Sequence, residues 1–257
     1  HLLPVTRYQL DNGMRVLLLP LQRAPVVSCR LFYETGSVHE QAGNTGIAHM
    51  LEHMLFKGTK KIGITDSIAD AQFLEQIDEV NRQIQEAKQV LDSTEVDRLL
   101  LKRDSLSSKH RELFIDNELW ELYTRHGGTG LNAFTSNLMT AYFVTLPSNK
   151  LELFFWLESD RMQNAVLRAF DSEHQVVHEE RRLRYDDSPT GRYFETLQAV
   201  FWEGHPYRSP TIGWPCDIAS LTRQQAQEHY DRFYKPSNAI LVLVGDFDLA
   251  FAQELVA

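Results

Sequence analysis

Cysteine is scarce in this chain of 257 residues, which contains only Cys29 and Cys216. Two cysteines exclude a disulfide-stapled scaffold, because such folds use several bridges in a short chain. A single disulfide bond between the two cysteines is one alternative. We instead predict two buried free thiols, because unpaired cysteine behaves as a small apolar residue, and we expect neither to bind a metal.

Long apolar runs and excess positive charge are also missing. No run approaches the roughly 20 residues that a membrane helix needs, so no membrane span is predicted. The chain carries 26 Lys and Arg against 35 Asp and Glu, a net charge of −9, and lacks a basic cluster with interleaved aromatics. Binding to nucleic acid is therefore not expected. With 43% hydrophobic residues, the chain can bury a sizeable core and fits the globular class.

An initiator methionine and a signal sequence are absent, since the sequence starts at His1. We therefore expect a processed mature form or a trimmed piece of a longer protein. The compartment is unknown at this stage. Removal of a signal peptide would place the protein in the periplasm or elsewhere outside the cytoplasm, and a cytoplasmic location stays open.

Glycine and proline are absent from residues 64–126. Apolar residues keep helical spacing there in two runs, which predicts a helical hairpin inserted at about 64–125. The charged remainder predicts solvated outer faces, with a partner surface as the alternative. The two runs are Phe73, Ile77, Val80, Ile84, Ala87 and Leu91, then Val96, Leu99, Leu100 and Leu106.

The strongest functional signal is the pentapeptide from His49 to His53, with Glu52 between the two imidazoles. On a helix, residues i and i+4 lie about 6 Å apart along the axis, so both histidines can point at one ion. Such a pair with a neighbouring carboxylate can hold zinc and activate its water. A solvated polar face is the alternative. An apolar stripe is predicted on the opposite side: Ile47, Leu51, Met54 and Leu55.

A third ligand is needed, because catalytic zinc usually has three protein ligands and a water. Asp171 or Ser172 is predicted to cap a helix on which Glu173 and Glu180 fall within an apolar stripe. Buried carboxylates need a metal, a hydrogen bond or an ion pair, so both are candidate site residues. The stripe consists of Val176, Val177 and Leu183, and the alternative is a salt bridge to Arg181, Arg182 or Arg184.

A rival pair on the same helix, His174 and His178, also has i, i+4 spacing. The two histidines lie about 100–140° from Glu173 and Glu180, among polar residues, so we assign them to the solvated face rather than to a metal. The other histidines lack such a pairing and are expected to be polar or packing residues: His1, His39, His110, His126, His205 and His229.

This ordered pattern resembles the inverted-motif zinc peptidases of family M16, which include pitrilysin, insulin-degrading enzyme and the mitochondrial processing peptidase. The similar segments cover most of 1–63 and 126–257. Besides the pentapeptide, Glu173 and Glu180, they are Gly36-Ser37, Glu40, Gly46, residues 56–59, 132–135 and 205–208, Gly213-Trp214, and 238–246.

The resemblance implies that His49, His53 and Glu180 bind one zinc ion. It also implies that Glu52 is the general base and that Glu173 is a further carboxylate that orients a histidine ligand. Glu52 would take a proton from zinc-activated water and return it to the leaving amine of a peptide. The implied function is a zinc endopeptidase for short or unfolded polypeptides. Alternatives are a non-catalytic structural or assembly subunit of the same fold, and a metal-dependent lyase that would need a cysteine at the metal.

The glycine-rich stretch 127–135 leads into a predicted strand, and a second strand is predicted at Ala141–Leu146. The stretch lacks the Lys-Ser/Thr of a phosphate-binding loop, so no nucleotide site is predicted. In the resembled family this strand pairs with extended substrate, which implies that Asn132, Ala133 and Phe134 bind substrate. An ordinary hairpin is the alternative.

The remaining elements predict an α+β fold without a regular βαβ rhythm. They are a hairpin around Asn12-Gly13, a strand at Val27–Tyr33, a capping box at Thr222 and Gln225 that opens a helix to about Tyr234, and an apolar strand at Ala239–Val244.

The resemblance implies a two-layer sandwich in a single domain 1–257, with a mostly antiparallel sheet and helices on one face. It also implies a second, similar half, either a C-terminal domain or a partner subunit, that completes the site. We therefore expect the chain alone to bind metal but to cleave peptides poorly. Leu249–Ala257 is expected to begin a helix.

Overall fold

The computed structural model describes residues 3–256 and centres on one six-stranded sheet. The strands are β1 (Thr6–Gln9), β2 (Arg15–Pro20), β3 (Val26–Tyr33), β4 (Thr129–Thr135), β5 (Thr140–Pro147) and β6 (Ala239–Gly245). Their order across the sheet is β1, β2, β6, β3, β5, β4. Among the strands of residues 3–256, only the β2–β6 pair is parallel, so the prediction of a mostly antiparallel sheet is confirmed.

Ten α-helices accompany the sheet in the described part of the chain. They are α1 (Ile47–Met54), α2 (Ser67–Gln89), α3 (Ser93–Arg111), α4 (Glu118–Arg125), α5 (Leu151–Asn164), α6 (Phe170–Arg181), α7 (Pro189–Phe201), α8 (Pro215–Ser220), α9 (Arg223–Phe233) and α10 (Leu249–Val256). A π-helical turn, Arg182–Asp186, extends α6. Within residues 3–256, none of these helices has both the length and the apolar content needed to cross a membrane.

The main core lies between one face of the sheet and the helices. Alternate residues of β3, such as Cys29 and Leu31, are buried there with Met50 and Leu51 of α1. Strand side chains alternate between the two faces, so burial at every second position shows that one face is covered. The central strand β6 alternates between buried and half-buried residues, with no fully exposed position, as suits the covered position predicted from its continuous apolar sequence. The fold is thus the predicted α+β type.

The predicted helical hairpin is formed by α2 and α3. Its two helices bury a small core of their own: Val80, Ile84, Ala87 and Leu99. Leu91 does not join this core, contrary to the periodic pattern, and is 89% exposed. The reason is that α2 ends at Gln89, and Leu91 lies in the connection with φ 57, outside the helical register.

The base of the hairpin is tied to the main body by Arg168. This guanidinium is only 1% exposed and donates to the carbonyl oxygens of Lys57, Thr59 and Ile62. It also pairs with Asp70 of α2 at 2.8 Å. A buried arginine is stable only when its donors are satisfied, so this network joins α2 to the loop that follows α1.

Two local predictions are wrong. The helix α6 begins at Phe170, after Ala169 in a left-handed conformation, so neither Asp171 nor Ser172 caps it. Cys29 is buried and free, but Cys216 is exposed, because it lies in the first turn of the short helix α8, directly after Pro215. The predicted capping box at Thr222 and Gln225 is present at the start of α9.

Candidate metal centre

The helix α1 presents two opposite faces, as predicted. Ile47, Leu51 and Met54 are at most 3% exposed and lie in the core. The helix starts after Gly46, whose φ is 91°, and a Cβ there would lie 2.4 Å from the Ile212 carbonyl oxygen. Only glycine fits this conformation and this contact, so Gly46 sets where the helix begins.

Glu40 holds the start of α1 from outside the helix. Its two carboxylate oxygens accept hydrogen bonds from the N–H groups of Gly46 and Ala48, at 2.9 and 3.0 Å. These N–H groups have no partner within the helix, so the carboxylate serves as its cap. Desolvation nevertheless raises the pKa of Glu40 to about 8, although the two N–H donors act in the opposite direction.

We expect the Glu40 carboxyl to make stability depend on pH between about 5 and 8. Its pKa is raised in the folded state, so the folded protein binds the extra proton in that window and loses stability as the pH rises. In calorimetric melting, the melting temperature of wild type should fall relative to that of Glu40→Gln as the pH rises from about 5 to about 8. A constant difference between the two would contradict this. The exposed Glu34→Gln is the control.

Three candidate ligands converge beside α1. His49 Nε2 lies 3.6 Å from one carboxylate oxygen of Glu180, and His53 Nε2 lies 3.2 Å from the other. One ligand atom from each residue lies within 4.8 Å of the others. Two imidazoles and one carboxylate are a common donor set for catalytic zinc, so these residues fit that ion.

The two imidazoles have opposite pKa shifts, because only His53 is hydrogen-bonded to carboxylates. Burial, and then the neighbouring His53, lower the pKa of His49 to about 4. Burial acts the same way on His53, but hydrogen bonds to Glu173 and Glu180 outweigh it and raise the pKa of His53 to about 9. The Nδ1 atom of His49 is buried without a hydrogen-bond partner among the described residues. Such a neutral, buried imidazole suits a metal ligand.

Glu180 has an ion-pair partner as well, as the alternative interpretation predicted. Arg184 lies 2.9 Å from one of its oxygens, but the arginine side chain is 67% exposed. Burial would raise the pKa of Glu180, but the hydrogen bond from His53 and the neighbouring His49 and Arg184 outweigh it and lower the value. An exposed ion pair contributes little, so Arg184 does not account for the convergence of two largely buried histidines.

The predicted apolar stripe of α6 is only partly buried. Val177 is fully buried and Glu173 is 8% exposed, but Val176 and Leu183 are 47% and 66% exposed. The helix packs on α1 through the narrow face that carries Val177 and Glu173. Leu183 also lies in the π-helical turn, where the register of the α-helix changes.

Glu52 lies beside the three candidate ligands and is held by Thr135 at the end of β4. The Thr135 hydroxyl donates to Glu52 Oε2 at 2.5 Å. Burial raises the pKa of Glu52, and the threonine hydrogen bond opposes the shift. Thr135 lies within one of the similar segments, but no local pattern predicts this contact, because β4 and α1 are far apart in the sequence.

Glu173 contacts His53 from the other side. One carboxylate oxygen lies 3.5 Å from His53 Nδ1, and the other lies 2.5 Å from Lys57 Nζ. Burial would raise the pKa of Glu173, but hydrogen bonds from His53 and Lys57 lower it. Glu173 is therefore in reach of the His53 ring nitrogen that does not face Glu180.

The rival histidines, His174 and His178, form no second centre within residues 3–256. Their rings lie 4.7 Å apart, but no third ligand group joins them. The ring of His174 hydrogen-bonds the Ile218 carbonyl oxygen. Both side chains are partly buried, rather than on a fully solvated face as predicted. His174 therefore connects α6 to α8.

The predicted substrate-binding residues lie on an edge strand. Among the strands described, β4 pairs only with β5, and a bulge separates Thr129 from Asn132. Asn132 is exposed, and its side-chain oxygen accepts the Ala133 N–H at 2.9 Å. Phe134 is 39% exposed. An edge strand with exposed residues can accept another strand.

The chain is similar to known zinc proteases. The model of insulinase, peptidase family M16, matches residues 15–76 and 99–214, and the model of the M16 inactive domain matches 220–257. The insulinase model leaves residues 77–98 unmatched, and these residues lie within the hairpin formed by α2 and α3. The zinc protease PqqE of Helicobacter pylori is 30% identical over 96% of this chain and 44% of its own length. The probable zinc protease PqqL of Escherichia coli is 26% identical over 96% of this chain and 22% of its own length.

Solved structures show the same relationship. The crystal structure of a protease from Helicobacter pylori has a TM-score of 0.76 and 28% identity, and it covers 99% of this chain and 49% of that one. The chain thus spans less than half the length of these relatives. Because the M16 family model matches more than half of the chain and the relatives align along nearly all of it, the chain belongs to peptidase family M16.

Proposed function

We propose that this chain is the metal-bearing part of a zinc endopeptidase. In this proposal His49, His53 and Glu180 hold one zinc ion per chain, and Glu52 is the general base. The observation that carries the proposal is the convergence of three ligand groups on one point, with Glu52 beside them and Glu173 behind His53. The relatives named zinc proteases support zinc as the metal.

The chain's own residues can provide the proton transfers of peptide hydrolysis. Zinc, when bound, polarises a peptide carbonyl and activates the attacking water. Glu52 is half-buried, and Thr135 holds one of its oxygens, which leaves the other to take a proton from the water. The same carboxyl then delivers the proton to the leaving amine. Its raised pKa suits it for both transfers.

The edge strand β4 supports an extended polypeptide as substrate. A chain laid beside Asn132, Ala133 and Phe134 would take main-chain hydrogen bonds that carry no sequence preference. In the absence of a partner, the Ala133 N–H is taken by the Asn132 side chain. Short or unfolded polypeptides present extended segments readily, which is why we assign them as the substrate class.

The helix α7 presents an exposed apolar surface that supports a further part or partner covering it. Its polar residues face the body of the protein: Glu195 pairs with Arg181 at 2.7 Å, and Gln198 donates to the Tyr207 carbonyl oxygen. Its large apolar residues point outward and are 47–72% exposed: Tyr193, Phe194, Leu197, Val200 and Phe201. This orientation is the reverse of an ordinary surface helix and indicates an apolar partner.

A second half is part of the proposal. The chain spans less than half the length of the relatives described above, and we infer that efficient cleavage needs the additional part that they possess. The Escherichia coli relative is described as periplasmic, which supports an extracytoplasmic location for this chain. The proposal therefore comprises a single peptidase domain, a second half that completes it and an extracytoplasmic location.

The first test is zinc per chain by elemental analysis, after zinc addition and dialysis. We expect about one zinc per chain in wild type and little or none in Glu180→Gln, since losing a ligand should weaken zinc binding by more than the roughly 10–100-fold that losing a ligand's outer partner costs. The neighbouring, exposed Glu179→Gln is the matched control. Wild type without zinc would overturn the proposal and favour a non-catalytic structural or assembly subunit of the same fold.

A further inference from the structure

Lys57 lies next to the candidate metal centre without being a ligand. Its ammonium group is 2.5 Å from Glu173 Oε1, and the Glu173 side chain is only 11% exposed. The other Glu173 oxygen is 3.5 Å from His53 Nδ1. A line of contacts therefore runs from Lys57 through Glu173 to His53, whose Nε2 faces Glu180.

The position of Lys57 follows the spacing of the two histidines. His49, His53 and Lys57 are each four residues apart, so the turn after α1 continues the register of the helix face. Lys57 N–H donates to the Met54 carbonyl oxygen at 3.0 Å, which keeps the chain in this turn. The lysine and His53 thereby reach the same carboxylate.

The backbone of Lys57 is fixed from the opposite side. Its carbonyl oxygen accepts a hydrogen bond from the buried guanidinium of Arg168 at 3.1 Å. Gly63 packs so closely that a Cβ there would lie 2.6 Å from the same oxygen. A lysine side chain is flexible, but its starting point here is held in place, which lowers the cost of keeping the ammonium on Glu173.

The positive charge of Lys57 balances negative charge at the candidate metal centre. Three carboxylates, Glu52, Glu173 and Glu180, surround the two imidazoles, and Glu173 is the one most withdrawn from water. A buried carboxylate needs paired hydrogen-bond donors. Arg184 contacts Glu180 but not Glu173. Lys57 therefore supplies the second donor that keeps both Glu173 oxygens engaged.

From these contacts we propose that Lys57 is a positioning residue of the metal centre: it fixes the Glu173 carboxylate against His53 and so orients a ligand that it does not touch. This inference rests on the proposed function, because it takes His53 as a zinc ligand. Glu173 without Lys57 has one oxygen free to rotate away from the imidazole. The His53 ring then loses the acceptor that holds its orientation.

The test is a double-mutant cycle on zinc affinity, measured by competition with a chromophoric chelator. We expect Lys57→Met to weaken zinc binding by about 10-fold, the lower end for loss of an outer partner of a ligand. In a Glu173→Gln background the same change should have no effect, because Lys57 acts only through that carboxylate. Lys57→Arg should restore most of the affinity, and the exposed Lys61→Met is the matched control.

A second measurement separates positioning from a general loss of structure. The visible absorption of Co²⁺ bound in place of zinc reports ligand geometry, and we expect it to shift in Lys57→Met while the melting temperature changes little. Equal weakening in both backgrounds, unchanged affinity, or tighter binding in Lys57→Met would overturn the role of Lys57 while wild-type zinc binding stands. Wild type that binds no zinc would overturn the proposed function together with this inference.

Discussion

Glu52→Gln is expected to lower the rate of peptide hydrolysis by about 10²–10⁴-fold, the usual contribution of a general acid–base residue. Glutamine keeps the size of the side chain and can still accept the Thr135 hydroxyl hydrogen bond, but it cannot take a proton from water. Zinc content should remain at the wild-type level, since Glu52 is not one of the three converging ligands. The loss should appear mainly in kcat.

The measurement is cleavage of an unstructured, internally quenched peptide by protein that includes the second half. Zinc per chain is determined on the same samples. Glu121→Gln, an exposed carboxylate on α4 paired with Arg125, is the control and should keep full activity. Activity within a few-fold of wild type in Glu52→Gln would show that another group is the base.

Asp70→Asn is expected to destabilise the protein by about 3–5 kcal/mol, the usual effect of breaking a buried ion pair. The change leaves the guanidinium of Arg168, which is 1% exposed, without its counter-charge. It also removes the charged partner of His110, which lies 2.6 Å from Asp70. Because these contacts tie α2 to the loop after α1, the loss should affect the whole fold and not only the hairpin.

The destabilisation should depend on pH in a defined direction. Burial alone would raise the pKa of Asp70, but hydrogen bonds from His110 and Arg168 outweigh it and hold the pKa below its usual value. A lowered folded-state pKa means that the stabilisation is present above about pH 4 and is lost as the pH falls through the folded pKa. The difference in free energy of unfolding between wild type and Asp70→Asn should therefore become smaller at acidic pH.

Urea unfolding at pH 7 and at pH 3 tests both parts of this prediction. Asp104→Asn is the control, because Asp104 is an exposed residue of α3 paired with Arg103. If Asp70→Asn lowers the free energy of unfolding at pH 7 by less than about 1 kcal/mol, the Asp70–Arg168 pair contributes no more than a solvent-exposed ion pair, and the prediction is wrong. A difference in free energy of unfolding that becomes larger at pH 3 would contradict the direction of the Asp70 pKa shift.

Much of the fold could be predicted from local patterns. The apolar face of α1 was predicted correctly because its burial follows the helical period, and the capping box at Thr222 because its two partners are three residues apart. The errors have local causes too. Leu91 keeps the period of α2 but lies beyond its end, and Cys216 was placed inside because free cysteine is usually buried.

The sequence alone determined that His49, Glu52 and His53 share one helix face, because residues three and four apart are neighbours on any α-helix. The predicted apolar stripe of the later helix, and then the resemblance to a known family, also singled out Glu173 and Glu180 as candidates. Only the tertiary structure decided that α6 lies against α1 with both carboxylates toward the imidazoles, and that Thr135 and Lys57 hold the acidic side chains. The physical reason is range: periodicity sets directions within one element, whereas contacts between elements depend on how the whole core packs.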